Sequence, residues 1–313
     1  MNDRICMEQH GTKLYKPGFS LAFIRHALAL FFITCIFVAP TRSEEHERPN
    51  FVFIVIDDMN DWVGYLGGHP QAMTPNLDEL ASNGVAFMNA HSVSPACSPS
   101  RNAVLYGIEP YHSGLYGFCG HEIHEVLHKE YISLPRFLKS NGYRTFGAGK
   151  IHHGLDESQQ EWDSYFVAEK SKKAYVADKG LVNNAANNAS FRPVNNPFTE
   201  LKDYQVASYG IDMISKNFDA PYFIALGLLK PHLPLECPAQ FYDALPDKIV
   251  SPRILAEDLD DIGSEARGML KRKENAQYRT EGEWPEIWRN YLACIAWTDH
   301  NVGRIHRLAA LPS

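Results

Sequence analysis

Cys97-Ser98-Pro99-Ser100-Arg101 sets a thiol, two hydroxyls and a guanidinium within five residues. Ser98 is a good N-cap and Pro99 suits a first helical position, so a helix is expected from Pro99 towards Tyr106. Cys97 then stands at a helix N-terminus, where backbone N–H groups favour anions and a nearby arginine strengthens the effect. A thiol so placed could become a nucleophile. Taken alone, the feature is more often a buried structural cysteine before an ordinary helix. Asp57-Asp58 offers two hard oxygen donors suited to a divalent cation, although an isolated acidic pair also reads as a solvated turn. Lys150 with His152-His153, and Lys230 with His232, supply cations and proton donors or acceptors. Any one of these in a loop would be ordinary surface.

The elements that must position them change that reading. Asn50 to Ile56 is a continuous apolar run ending at Asp57; without alternation it reads as a strand buried on both faces. Thr74-Pro75 opens a helix, with Thr74 as N-cap, that stops near Gly84. Ser133 caps a helix to Ser140, Tyr143 to Gly147 reads as a strand, and Lys150 to His153 follow in a loop. A helix over about 203–218 precedes a strand, Tyr222 to Gly227, which also empties into a charged loop, Lys230-Pro231-His232. Residues 155–200 read as a polar excursion and 252–283 as a charged periphery. A final helix runs from Trp284 to about Leu308. Helices alternating with apolar strands predict an α/β fold around a mostly parallel sheet, whose ligands bind beyond the carboxyl ends of the strands. Asp57-Asp58, Lys150–His153 and His232 all fall at such ends and are expected on one rim.

Cys97 to Arg101 matches the C-x-P-S-R signature of the sulfatases, in which the cysteine is oxidised to formylglycine. Pro49-Asn50, Asp57-Asp58, Thr74-Pro75-Asn76-Leu77-Asp78 and Gly84-Val85-Ala86-Phe87 resemble the opening of that family. Gly149-Lys150-Ile151-His152-His153 and Leu229-Lys230-Pro231-His232-Leu233-Pro234 resemble its iduronate-2-sulfatase branch. The resemblance runs from about residue 49 to the end. It implies an alkaline-phosphatase-like fold, with the sheet sandwiched by helices, and the removal of sulfate from a sulfated sugar. One hydroxyl of the hydrated aldehyde at position 97 would attack sulfur and expel the alcohol; the second would then release sulfate, which a serine could not do. Asp57, Asp58 and the modified Cys97 would hold one Ca²⁺. Arg101 and Lys150 would steady the hydrate and sulfate oxygens, His153 would accept the hydroxyl proton, and His232 would serve as general acid. His152 competes with His153 if the register is one residue out. A phosphoester or phosphonate hydrolase of the same superfamily, or an inactive sulfatase-like binding protein, are the rival readings.

The family supplies further metal ligands from a later Asp-His-Gly or Asp-Asn-Gly strand. Asp299-His300 does not fill that place, because Asn301 follows and Ile287, Tyr291, Ile295, Val302, Ile305 and Leu308 recur at helical spacing. On this reading residues 44–313 are an N-terminal catalytic domain that ends before the remaining ligands and a smaller C-terminal subdomain.

The bulk of the chain agrees with a globular protein. It has 313 residues, 45% hydrophobic and 21% charged, and a net charge of -7 gives no support to a nucleic-acid partner. Lys13, Lys16 and Arg25 precede an uncharged apolar run, Ala27 to Ala39, followed by Thr41 and Ser43. This is the layout of a signal peptide over residues 1–43, and the run is short for a membrane span, which needs roughly 20 apolar residues. A secreted or periplasmic protein is expected, with no stable span after cleavage, dependent on a formylglycine-generating system. Cys97, Cys119, Cys237 and Cys294 remain beyond the leader, and their spacing assigns no disulfide pair.

Overall fold

The computed structural model describes residues 48–118, 127, 129–154, 161–169, 182–184, 189–253, 255, 257, 259–269 and 283–309. The signal-peptide segment and Cys119 lie outside the described residues, as does much of 155–200 and 252–283. The chain divides into two units, Met1–Arg48 and Pro49–Ser313, and every element below belongs to the second.

Four parallel strands form the main sheet: β1 (Phe51–Ile56), β2 (Arg144–Gly149), β3 (Ser164–Phe166) and β6 (Tyr222–Leu228), in the order β1-β6-β2-β3. Helices cover both faces. Val52, Ile54 and Ile56 of β1, with Ile224, Leu226 and Leu228 of β6, pack on α1 (Pro75–Asn83), α5 (Lys202–Ile214) and α8 (Trp284–Ala309). On the other face Phe53, Val55, Phe223 and Ala225 meet Leu105 and Tyr106 of α2 (Cys97–Tyr106) and Leu134 and Leu138 of α4 (Leu134–Ser140). A shorter helix, α3 (Pro110–Ser113), follows α2. This is the expected α/β architecture. β6 is the strand buried on both faces, with Ile224, Leu226 and Leu228 fully enclosed; each such side chain contributes roughly 1.5–3 kcal/mol through burial. β1 had been expected to be equally enclosed. Among the described residues it is an edge strand, and Phe51 to Ile56 are exposed or half-buried.

A second sheet was not legible in the sequence. β4 (Val182–Asn184), β5 (Ala189–Val194) and β7 (Leu235–Pro238) pair antiparallel and then parallel, so the polar stretch 155–200 contributes strands to both sheets. Leu235, Tyr242 of α6 (Ala239–Asp243), Leu292 and Trp297 join β5 and β7 to α8 in a separate core. A short helix, α7 (Ser264–Met269), falls in the charged region before α8. No described helix is long and apolar enough to cross a membrane.

Asp299 has a structural task. It lies within α8, and its carboxylate accepts from the backbone N–H groups of Leu77 (2.8 Å) and Asn76 (3.1 Å) at the start of α1. That is a cap supplied by another helix, and it meets the positive end of the α1 dipole. Thr74, the expected cap, instead accepts from the Gly64 N–H at 2.7 Å. Asp299→Ala should therefore lower stability by roughly 1–2 kcal/mol in a denaturant titration; an unchanged midpoint would remove this role.

Candidate active site

The carboxyl ends of β1, β2 and β6 do meet. Asp57 follows β1, is buried, and receives two cations from different elements. Arg101 Nη2 lies 2.9 Å from Asp57 Oδ1, and Lys150 Nζ is paired with Oδ2. The same guanidinium donates to the carbonyls of Lys150 and Ile151, the latter at 3.1 Å. Arg101 thus ties α2 to the ends of β1 and β2. Burial pushes the Asp57 carboxyl up, but the hydrogen bonds and charges of Arg101 and Lys150 outweigh it and hold it below its ordinary value.

Close backbone approach fixes the strand ends. Lys150 N donates to Gly227 O at 2.9 Å. A Cβ on Gly227 would stand 2.1 Å from the Lys150 carbonyl oxygen, and one on Gly149, which has φ +74°, would stand 2.2 Å from the Gly227 oxygen. Only glycine fits at either position.

Asp58 has φ 59°, unusual for a residue with a side chain and most frequent where local structure over-determines the backbone. Tyr291 of α8 provides that constraint: its hydroxyl donates to Asp58 O (2.7 Å) and accepts from Asn60 N (3.0 Å). Burial pushes the phenol up to about 12, so it remains a donor. Asp203 does similar work on the β6 side, its buried carboxylate accepting from Leu229 N (2.7 Å) and Lys230 N (2.9 Å). Neither contact has a sequence signal, because each joins a helix to a loop distant along the chain.

His232 reaches the acidic pair from the β6 loop. Its Nε2 lies 3.6 Å from Asp58 Oδ2 and 4.0 Å from Asp57 Oδ2. Nδ1 sits 2.6 Å from the Leu233 carbonyl, which requires the proton on Nδ1. In the neutral ring Nε2 then presents its lone pair to the carboxylates; in the protonated ring it presents a proton. Asp57, Asp58 and His232 place one ligand atom each within 4.8 Å of one another, the one such cluster among the described residues. Two carboxylates suit a hard divalent cation, but Ca²⁺ takes about six to eight oxygens. The set is therefore compatible with a cation and supplies part of its shell. Cys97 is not among the three.

Cys97 is the first residue of α2, two residues ahead of the expected start at Pro99, with Ala96 extended ahead of it and providing no side-chain cap. Ser98, expected as the cap, is inside the helix. The thiol is partly exposed. It lines a cavity of about 510 Å³ together with Asp57, Asp58, Asn60, Ser100 and Arg101. The two histidines separate clearly. His152 is fully buried with Nε2 2.9 Å from Glu161, whose other oxygen accepts from Ser133. His153 is half-buried beside Phe118, and its Nδ1 is enclosed without a hydrogen-bond partner among the described residues. Burial, then the charges of Lys150 and Arg101, depress its pKa below the ordinary 6.5. A histidine NMR titration should give a midpoint below 6.5 for His153, and Lys150→Met should raise it by removing a like charge. A wild-type midpoint at or above 6.5 contradicts this arrangement.

An acidic pair, two cations, two histidines and a thiol thus gather at the sheet rim. The sulfatase family model matches residues 49–310. The chain belongs to the sulfatase family. A sulfatase of Formosa agariphila is 29% identical over 291 residues, covering 84% of this chain and 55% of the relative. Human iduronate 2-sulfatase is 27% identical over 284 residues, 82% of this chain and 50% of the relative. The chain spans about half the length of these curated relatives. Among solved structures, a 2-O GAG sulfatase superposes with TM-score 0.60 at 18% identity, over 84% of this chain and 54% of that one. A phosphonate monoester hydrolase of Agrobacterium radiobacter does so with TM-score 0.55 at 18% identity, over 83% and 59%. At such identities these likenesses establish the shared fold.

Proposed function

We propose that this sulfatase chain carries the catalytic half of a sulfuric ester hydrolase acting on a sulfated sugar, with formylglycine formed from Cys97. The observation that carries the reading is the shared cavity: Cys97 opens α2 on the wall that also holds Arg101, Asp57 and Asp58. Formylglycine would supply a hydrated aldehyde, one hydroxyl attacking sulfur and the other releasing sulfate. Asp57 and Asp58, with the modified Cys97, would hold Ca²⁺, which would neutralise charge building on the sulfate oxygens.

The chain's own groups divide the remaining work. Arg101 and Lys150 keep Asp57 ionised and leave cationic charge at the sulfate's entry. His153, held neutral by burial and its cationic neighbours, would accept the attacking hydroxyl's proton. His232 carries a proton on Nε2 when protonated and can give it to the leaving oxygen. Similarity to an iduronate 2-sulfatase and to a 2-O GAG sulfatase supports a sulfated saccharide as substrate. The apolar leader supports export, and Cys97 implies a formylglycine-generating partner.

Two measurements test the reading. The Cys97 peptide, from cells able to make formylglycine, should carry the aldehyde by mass spectrometry; cysteine alone would refute the mechanism. Because a phosphonate hydrolase shares the fold, aryl sulfate and aryl phosphate should be compared, with sulfate preferred. Preference for phosphate would move the chain to that second reading.

A further inference from the structure

Cys237 and Cys294 stand apart from the cavity that holds Cys97. Cys237 lies in β7 and Cys294 in α8, with exposures of 1% and 0%. Both belong to the core that Leu235, Leu292, Ala293 and Trp297 build between the second sheet and α8. Strand β7 packs directly on α8, the Cys294 thiol is a neighbour of the Cys237 thiol, and neither is in a disulfide in this structure. A structural zinc would need four ligands. Among the described residues no third candidate joins the pair, since the one cluster of three is Asp57, Asp58 and His232. Two neighbouring thiols in one buried core, without further ligands, suit a covalent cross-link.

We propose that Cys237 and Cys294 form a disulfide when the chain folds in an oxidising compartment. The oxidant is a disulfide, either a small one such as oxidised glutathione or one carried by a thiol oxidoreductase. One cysteine, as thiolate, attacks a sulfur of that disulfide, giving a mixed disulfide and one released thiol. The second cysteine then attacks the protein sulfur of the mixed bond, closing Cys237–Cys294 and releasing the second thiol. Two protein thiols give up two protons and two electrons, and the donor disulfide takes up both. Burial and the neighbouring thiol push the Cys237 thiol up, so little thiolate exists once the core has closed. The bond therefore forms before that closure, or by local opening, and afterwards resists reduction.

The cross-link would join two arms of the site. β7 follows the loop carrying His232, while α8 carries the Tyr291 that holds the Asp58 turn. Its existence does not depend on what the chain hydrolyses.

The test uses the full chain exported to an oxidising compartment, unfolded in denaturant with iodoacetamide and no reductant, then digested. The expected species joins the Cys237 and Cys294 peptides and separates on reduction. Alkylation of both cysteines without prior reduction overturns the proposal, as does a bond from either one to Cys97 or Cys119. In Cys237→Ala, labelled under the same denaturing conditions, Cys294 should be found alkylated or capped by the small donor thiol, and joined to no peptide of the chain, whether or not that variant folds. If Cys294 is instead joined to another peptide of the chain, its partner is another residue and the assignment fails.

Discussion

Cys97→Ala should lower kcat/KM for an aryl sulfate by about 10⁴-fold or more, because without the thiol its Cβ cannot be oxidised to the aldehyde whose hydrate attacks. The thiol is partly exposed and outside the three core clusters, so stability should change by under about 1 kcal/mol. That pairing of results separates lost chemistry from lost fold. Cys97→Ser sharpens the test. A serine hydroxyl can attack sulfur but has no second hydroxyl with which to release sulfate, so one equivalent of alcohol should appear and turnover should stop. Steady turnover by either variant within tenfold of the wild type would show that position 97 is not the nucleophile.

Arg101→Met should cost stability as well as activity, and by a different route. The guanidinium is 5% exposed and serves Asp57, itself 3% exposed, together with two carbonyls. Its loss leaves a buried carboxylate with Lys150 as its remaining cation and removes the donors from both carbonyls. Breaking such a buried pair from one side costs about 3–5 kcal/mol, readable as a lower denaturation midpoint. The sign with pH follows from Asp57, whose folded pKa is depressed below its ordinary 3.8. Its stabilising contribution is fully present above 3.8 and is lost as pH falls through the folded value. The gap between wild type and Arg101→Met should therefore be widest near neutral pH and should narrow below 3.8. A gap that stays constant through that range would mean the ion pair is not the source.

Much of this site was legible because its parts sit where strands end. The apolar runs around Ile54, Phe146 and Ile224 announce strands, and the residues following them are the ones that meet at the rim. What escaped depends on contacts between distant segments. Tyr291 reads as one more apolar position on a helical face, yet its hydroxyl holds the Asp58 turn. Asp203 reads as an ordinary acidic residue in a first helical turn, yet it is buried against the backbone of the His232 loop. Local preference alone predicts Thr74 and Ser98 as caps. The structure differs, with Asp299 taking the first task and the α2 helix starting two residues early. Strands β4 and β7 have too few residues for a period to show, and β5 contains Pro193.

The contact between Gly149, Lys150 and Gly227 bears on how this protein can vary. These glycines carry no functional group and touch no substrate, yet each holds a place where even one methyl group would force the β2 and β6 ends apart. A survey of tolerated substitutions should find them nearly as intolerant as Cys97, and for an unrelated reason. Inherited change could reshape the rim loops freely, and with them the choice of sugar, only while these two hydrogen-only positions stay fixed.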